Sequence, residues 1–346
     1  MAEDKANGLT KKHSQPHCAQ NELPLVSVVI PCYNAEKYVE QAVRSIMNQT
    51  YKNLEILITD DCSTDESFAI LRRLAEEDSR IKLFQNEQNQ KIVRTLNALV
   101  ERANGKYIAR MDADDISLQK RIEKQVAFLE ANPDIAICGT NAWHINKDGN
   151  KISKSRLPCL SDEIETLLPY ICTFYHPTVM AKSEVLKNNP YNNDFVYAED
   201  IELWCRLVFS RRLHSANLSE RLFCYRTFDI EQSSTLHSQE QIEKAGKLYA
   251  LYNHNKEKTD TDFLINIFLT NKNAQDLQEA KFIKSLAKKL RKMKLNASFS
   301  AYQRLLSHCL KFKKISLALQ ISLNMHGLFV IIVTLLGKLS GKRRGK

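Results

Sequence analysis

"LVSVVI" (25–30) is a short β-branched run stopped by Pro31. That is the pattern of a strand covered on both faces. "AEKYVEQAVRSIMNQ" follows, with Tyr38, Val39, Ala42, Val43, Ile46 and Met47 at helical spacing. "LEILIT" (54–59) predicts a second buried strand. It runs into "DDCSTDESFAILRRLAEE", where Ser63 and Glu66 have capping-box spacing. "IKLFQN" predicts a third strand, and "IVRTLNALVERA" a third helix, broken by Gly105. "KYIARM" predicts a fourth strand, "LQKRIEKQVAFLEAN" a helix stopped by Pro133, and "IAICGT" a fifth strand.

Five alternations with short connections predict an α/β fold, a doubly wound, mainly parallel sheet with helices on both faces. Ligands of such sheets bind outside the carboxyl ends of the strands. The first, second and fourth predicted strands end in "PCYN", "DDCSTD" and "DADD", so these should converge on one crevice. Beyond about residue 150 the pattern loosens. "HPTVMAKSEVL" reads as a strand and then a helix. "YAEDIELWCRLVFS" opens with acids and continues as an amphipathic helix, and after Thr235 the chain reads as all-helical.

With 346 residues, 43% of them hydrophobic, the chain can bury a sizeable core as one large or two ordinary domains. The first 23 residues are polar without an apolar centre and read as a disordered leader, not a secretory signal. Nine scattered cysteines without a Cys-x-x-Cys pair read as reduced thiols. The net charge of +10 hides an asymmetry. From Lys281 onward lie 16 of the 50 basic residues and none of the 40 acidic ones, which leaves the preceding part at −6. The basic character belongs to the C-terminal region, and it suits an anionic surface.

That region adds a second feature. From Ile315 to Gly337 no residue is formally charged, but Ser316, Gln320 and Asn324 form a polar stripe and His326-Gly327 interrupts the middle. Lysines flank both ends. The pattern predicts a helix lying in the interface of the cytoplasmic leaflet rather than a span. An ordinary helical subdomain is the competing reading. The lysine-rich tail has no interleaved aromatics suited to base stacking, so no nucleic-acid partner is expected.

"ARMDADDISLQ" places Asp112, Asp114 and Asp115 within four positions. On extended chain Asp112 and Asp114 point the same way and Asp115 elsewhere. Hard carboxylate oxygens suit Mg²⁺ or Mn²⁺ shared with a substrate phosphate. The same spacing also fits a solvated acidic turn that caps the next helix. In "TDDCSTD" a carboxylate can accept from a base or a ribose, or Ser63 or Asp65 can cap the helix. Glu199-Asp200 can supply a general base, or can simply complement a helix dipole. Trp204 is either core or a sugar platform. Neither G-x-x-x-x-G-K-[ST] nor G-x-G-x-x-G occurs, so a nucleotide would be held by metal and side chains.

"VSVVIPCYNAEKYVEQAVRSIMNQTY", "LEILITDDCSTDES", "GKYIARMDADD", "HPTVM" and "YAEDIELWCRL" occur in this order. Together they resemble the motif series of the family-2 inverting glycosyltransferases, which have the GT-A fold. The resemblance covers roughly Leu25 to Arg226 and is strongest to bacterial enzymes that extend lipooligosaccharide or capsular glycans. It implies that Pro31, Tyr33 and Asp61 line a uridine pocket, with Asp61 on the base and Glu36 near the same crevice. It implies that Asp112 contacts the ribose or metal, and that Asp114 binds Mn²⁺ or Mg²⁺ and so the diphosphate of a UDP-sugar. Asp200 is implied as the base that takes the acceptor proton, with Glu199, His176 and Trp204 shaping the acceptor side. The implied reaction is a single inverting displacement that moves one sugar, GlcNAc or Gal, to a hydroxyl of a lipid-linked or cell-surface glycan. The enzyme is expected on the inner face of the cytoplasmic membrane.

The sequence departs from the family at two glycine positions. Lys91 ends "NQK" where Asn-x-Gly is common, and there it either approaches a phosphate or is solvated. Cys62 stands where Asp-Asp-Gly is common. The Gln-x-x-Arg-Trp signature of processive synthases is missing. The expected organisation is a leader (1–23), a catalytic domain (24–235, with a nucleotide-sugar half to 140 and an acceptor half from 141) and a basic helical region (236–346). Two alternatives are a sugar-1-phosphate nucleotidyltransferase and a catalytically dead scaffold. The first needs a glycine-rich basic segment that "PCYNAEKY" does not supply. The second would be favoured by the loss of Asp114 or Asp200, and both are present.

Overall fold

The computed structural model describes residues 23–168 and 172–228. The expected leader and the basic C-terminal region lie outside the described residues, apart from Leu23. The chain opens with β1 (Val26–Cys32), α1 (Val39–Met47), β2 (Leu54–Asp60), α2 (Ser67–Glu77), β3 (Ile81–Gln85) and α3 (Lys91–Arg102). It continues with β4 (Tyr107–Arg110), β5 (Ile116–Ser117), α4 (Arg121–Ala131), β6 (Ile135–Ile145), β7 (Lys151–Lys154) and α5 (Ser161–Leu167). Then come β8 (Met180–Lys182), α6 (Ser183–Lys187), α7 (Glu199–Cys205) and β9 (His214–Arg226). No helix among the described residues is long and apolar enough to cross a membrane.

Every residue of β1 and β2 is buried, as unbroken apolar runs require. Their alternation splits two cores. Val28, Ile30, Ile56 and Ile58 pack under α1, α2 and α4, while Val29, Leu57 and Ile108 pack under α3 and α7. The polar exception in β1 has a partner, since Ser27 Oγ donates to Glu55 at 2.5 Å and accepts the Gly105 N–H at 2.8 Å. Gly105 does more than stop a helix. A Cβ there would lie 2.6 Å from the Ser27 nitrogen, so only glycine lets the chain pass β1.

The sheet order is β3-β2-β1-β4-β8-β6-β9-β5, with β7 on β6. Only its first four strands follow the expected parallel pattern. The fifth predicted strand, β6, is not beside β4. β8 lies between them, antiparallel to both, with Ala181 opposite Ile108 on one side and Ile137 on the other. Beyond it the sheet is mixed, with β9 parallel to β6 and β5 antiparallel to β9. Periodicity identifies strands but not their partners, and β8 is a three-residue strand that returns from far along the chain. The predicted Ser63–Glu66 capping box does not form. α2 starts later, Ser63 Oγ accepts from Asn34, and Asp65 Oδ1 accepts the Ser67 N–H at 3.0 Å.

Candidate active site

The first wall of the site comes from the ends of β1 and β2. Asp61 follows β2 and donates its N–H to Cys32 at 2.8 Å. Its carboxylate accepts from Asn86 Nδ2 (2.7 Å), the Gln90 N–H (2.7 Å) and the Lys91 N–H (2.9 Å). One buried carboxylate thus holds the turn that begins α3. The two departures from glycine fall where glycine would cost nothing, since Cys62 has φ +62° and Lys91 has φ +69°. A cavity of about 340 Å³ opens beside this turn. Pro31, Tyr33, Asp61 and Lys91 line it together with Cys32, Asn89, Ile92, Thr95, Val196 and Tyr197. Glu36 does not line it. Glu36 is exposed, accepts the Glu66 N–H at 3.1 Å and donates its own N–H to Asp65, so it ties two loops together behind the cavity.

The second wall is the acid turn after β4. Asp112, Asp114 and Asp115 each offer an oxygen within 4.8 Å of the others. Burial first, and Asp112 second, push the Asp114 carboxyl up to about 6. Burial, Asp112 and Asp114 push Asp115 well above the carboxylate range. Asp115 is buried, with one oxygen on the Arg226 N–H at 2.6 Å and Oδ2 without a hydrogen-bond partner among the described residues. Crowded carboxylates with an unpartnered buried oxygen fit a hard divalent cation, which would relieve their repulsion. Asp112 and Asp114 are the half-buried members that a diphosphate could reach.

Two arginines hold this turn, and sequence reasoning missed both. Arg226, at the end of β9, donates through Nε to the Asp114 carbonyl (2.7 Å), through Nη1 to Asn146 and Lys147, and through Nη2 to Gln41. Arg110, the last residue of β4, pairs with Asp112. Neither had a local signal, because each works through groups distant in sequence or past a strand end.

The third wall is the start of α7. Glu199 and Asp200 stand in its first turn. Burial and the Asp200 charge raise Glu199 to about 7, and its Oε2 has no hydrogen-bond partner among the described residues. Burial raises Asp200, whose Oδ1 accepts the Ile201 N–H at 2.7 Å. His176 is buried on Tyr191 Oη at 2.9 Å, and burial and Arg110 hold it well below its ordinary range, so it is neutral. Trp204 is fully buried against Phe174 and His176. It therefore offers no ring face to a sugar and acts by packing under α7, which is the core alternative of the sequence reading. A half-buried ring that does stand beside the acid turn is Tyr225, which meets the rings of Tyr175 and His144, with His144 Nε2 on Tyr175 Oη at 2.7 Å. Burial and then Asp112, Asp115 and Asp114 raise the Tyr225 phenol, which places it next to that turn.

Residues 27–188 match the family description "Glycosyl transferase family 2". A Haemophilus influenzae glycosyltransferase is 35% identical over 235 residues, which covers 65% of this chain and 72% of that one. The O-antigen biosynthesis glycosyltransferase WbnJ of Escherichia coli is 34% identical over 247 residues, 70% of this chain and 93% of its own. The chain belongs to glycosyltransferase family 2. The family match ends before α7, so the Glu199-Asp200 wall lies outside it. Among solved structures, S. aureus TarS 1–349 in complex with UDP-GlcNAc superposes with TM-score 0.55 at 19% identity, over 85% of this chain and 89% of TarS. The mannosyltransferase PcManGT from Pyrobaculum calidifontis, in complex with GDP-Man and Mn²⁺, has TM-score 0.53 at 15% identity, over 92% and 89%. At these identities the likeness is one of fold, the GT-A fold. The protein is a glycosyltransferase.

Proposed function

We propose that this glycosyltransferase moves one sugar from a UDP-sugar, with inversion and a divalent cation, to a hydroxyl of a lipid-linked or cell-surface glycan. The observation that carries the reading is spatial. A nucleotide-sized cavity, a three-carboxylate turn and an acid pair, Glu199 buried and Asp200 half-buried, are hung from β1, β2, β4 and α7 around one end of the sheet.

In this reading Tyr33, half exposed at the cavity, offers a ring to the uracil, and Pro31 and the Asp61-held turn shape its edge. Lys91 is exposed at the same cavity and can meet a phosphate. Asp114 and Asp112 would hold Mn²⁺ or Mg²⁺, which supplies positive charge to the departing diphosphate. Asp200 accepts the proton of the incoming hydroxyl, and Glu199 keeps that wall acidic. His176 and Trp204 support α7 from behind. A glycan acceptor is supported by likeness to WbnJ, and a lipooligosaccharide or capsular chain is the acceptor class we favour. GlcNAc and Gal are the favoured sugars. The basic C-terminal region would seat the enzyme peripherally on the inner face of the cytoplasmic membrane, near a lipid-linked acceptor.

The test is nucleotide release from a panel of UDP-sugars with Mn²⁺, with GDP-mannose alongside. Release from one UDP-sugar is expected. Release from GDP-mannose alone would overturn the uridine assignment, and no release from any donor would favour a binding scaffold.

A further inference from the structure

Arg110 closes β4, and strand alternation puts it on the same sheet face as Ile108, where Leu203 and Trp204 of α7 pack. Its side chain is only 6% exposed. One ion pair, with Asp112, engages it, and Nε has no hydrogen-bond partner among the described residues. Glu199 and Asp200 open that same helix, and Glu199 is buried with its Oε2 unpartnered among the described residues. The Arg110 charge favours the ionised form of both acids. The backbone around it is fixed, since the Arg110 N–H donates to Val179 and its carbonyl accepts from Arg121 Nη2 at 2.7 Å. Only the guanidinium is left with a choice of partner.

A divalent cation on Asp112 would stand close to the guanidinium, and the two like charges repel. A buried guanidinium also cannot be left unpaired. The other carboxylates in its range are Asp114 and Asp115, on the turn that would hold the cation, and Glu199 and Asp200 of α7. We propose that Arg110 is a positioning residue that competes with the divalent cation for Asp112 and, once displaced, pairs with Glu199 and Asp200. This rests on the reading of Asp112 and Asp114 as cation ligands. Loading of the cation and diphosphate then delivers a positive charge to the acceptor wall, where it orients the Asp200 carboxylate. The donor half arms the acceptor half through one side chain. By linkage, Asp200 must in turn favour cation binding.

The experiment is Mn²⁺ titration of the full chain by calorimetry, with and without UDP, and it needs no turnover. Arg110→Met is expected to bind Mn²⁺ roughly tenfold tighter than wild type, because the competing charge is gone. Asp200→Asn is expected to weaken Mn²⁺ binding several-fold in wild type and to change it less than about twofold in Arg110→Met. Arg110→Met binding no tighter than wild type overturns the proposal, as does an equal Asp200→Asn effect in both backgrounds. Should Arg110→Met lack a cooperative melt, Arg110→Lys carries the test. Its shorter point charge still reaches Asp112, so Mn²⁺ affinity stays near wild type while the Asp200→Asn effect disappears. An undiminished Asp200→Asn effect in that variant overturns the proposal. If wild type itself binds no Mn²⁺, it is the cation-site reading that fails.

Discussion

The backbone N–H of Arg226 donates to Asp115 Oδ1 at 2.6 Å, across 111 positions of sequence. The end of β9 thereby pins the acid turn and gives its three aspartates unequal work. Asp115 is buried and committed to the fold, whereas Asp112 and Asp114 are half-buried and face the space in which a cation could sit.

Asp114→Ala should therefore reduce metal-dependent turnover on the order of 100-fold or more while the melting temperature holds. Asp115→Ala should show the reverse emphasis, with a stability loss of about 2 kcal/mol from the orphaned Arg226 N–H. Thermal melts and UDP-release rates on the two variants separate these outcomes. Unchanged activity in Asp114→Ala would remove its metal assignment.

The acid pair of α7 sets a pH dependence. Burial raises Asp200, and the Asp200 charge then helps burial hold Glu199 neutral up to about 7. Asp200 therefore ionises first. A base works only when ionised, so kcat should fall as pH drops through a limb above the ordinary carboxylate range. Glu199→Gln, which mimics the neutral acid, should leave that limb in place. Asp200→Asn should abolish transfer yet retain UDP binding. Near wild-type transfer by Asp200→Asn would place the base elsewhere.

Lys91 sits at φ +69° on the rim of the cavity. Lys91→Gly should relieve backbone strain and raise stability by up to about 1 kcal/mol, net of the added freedom of the unfolded chain. If the ammonium meets a phosphate, the same variant should bind UDP several-fold more weakly. A melt and a UDP titration read the two effects apart, and unchanged UDP affinity would assign Lys91 to solvent.

Glu55 is buried, which alone would raise its carboxyl, but bonds from Lys82, Ser27 and Asn104 overcome this and hold it at about 2. A depressed folded-state value means stability that is present above the unfolded value, near 4.3, and lost as pH falls toward about 2. Glu55→Gln should cost about 2 kcal/mol at neutral pH and flatten the stability profile across that acid window. An unchanged acid limb in the urea midpoint would exclude this role.

Deleting residues 311–346 is expected to release the enzyme from anionic vesicles. Continued sedimentation of the truncated protein with those vesicles would refute the membrane role assigned to that segment.

Much of the donor wall was legible along the chain. The runs at 25–30 and 54–59 are strands buried on both faces, and the acids that follow them converge because parallel strands share a carboxyl end. The two departures from glycine, Cys62 and Lys91, do mark left-handed backbone. The acceptor wall was less legible. The pattern left Trp204 as either core or platform, because burial decides whether a ring can meet a sugar, and burial depends on what α7 packs against.

Local pattern by itself determined most of the elements and the strand-end acids, because these follow from side-chain period within a few residues. Tertiary structure alone decided that β8 separates β4 from β6, that Arg226 locks Asp115, and that Arg110 is buried beside Asp112. Those relationships join residues from about 40 to more than 100 positions apart, or turn on which way a buried charge faces. A buried charge is placed by the partners that satisfy it, and partners brought together only by folding leave no mark on the local sequence.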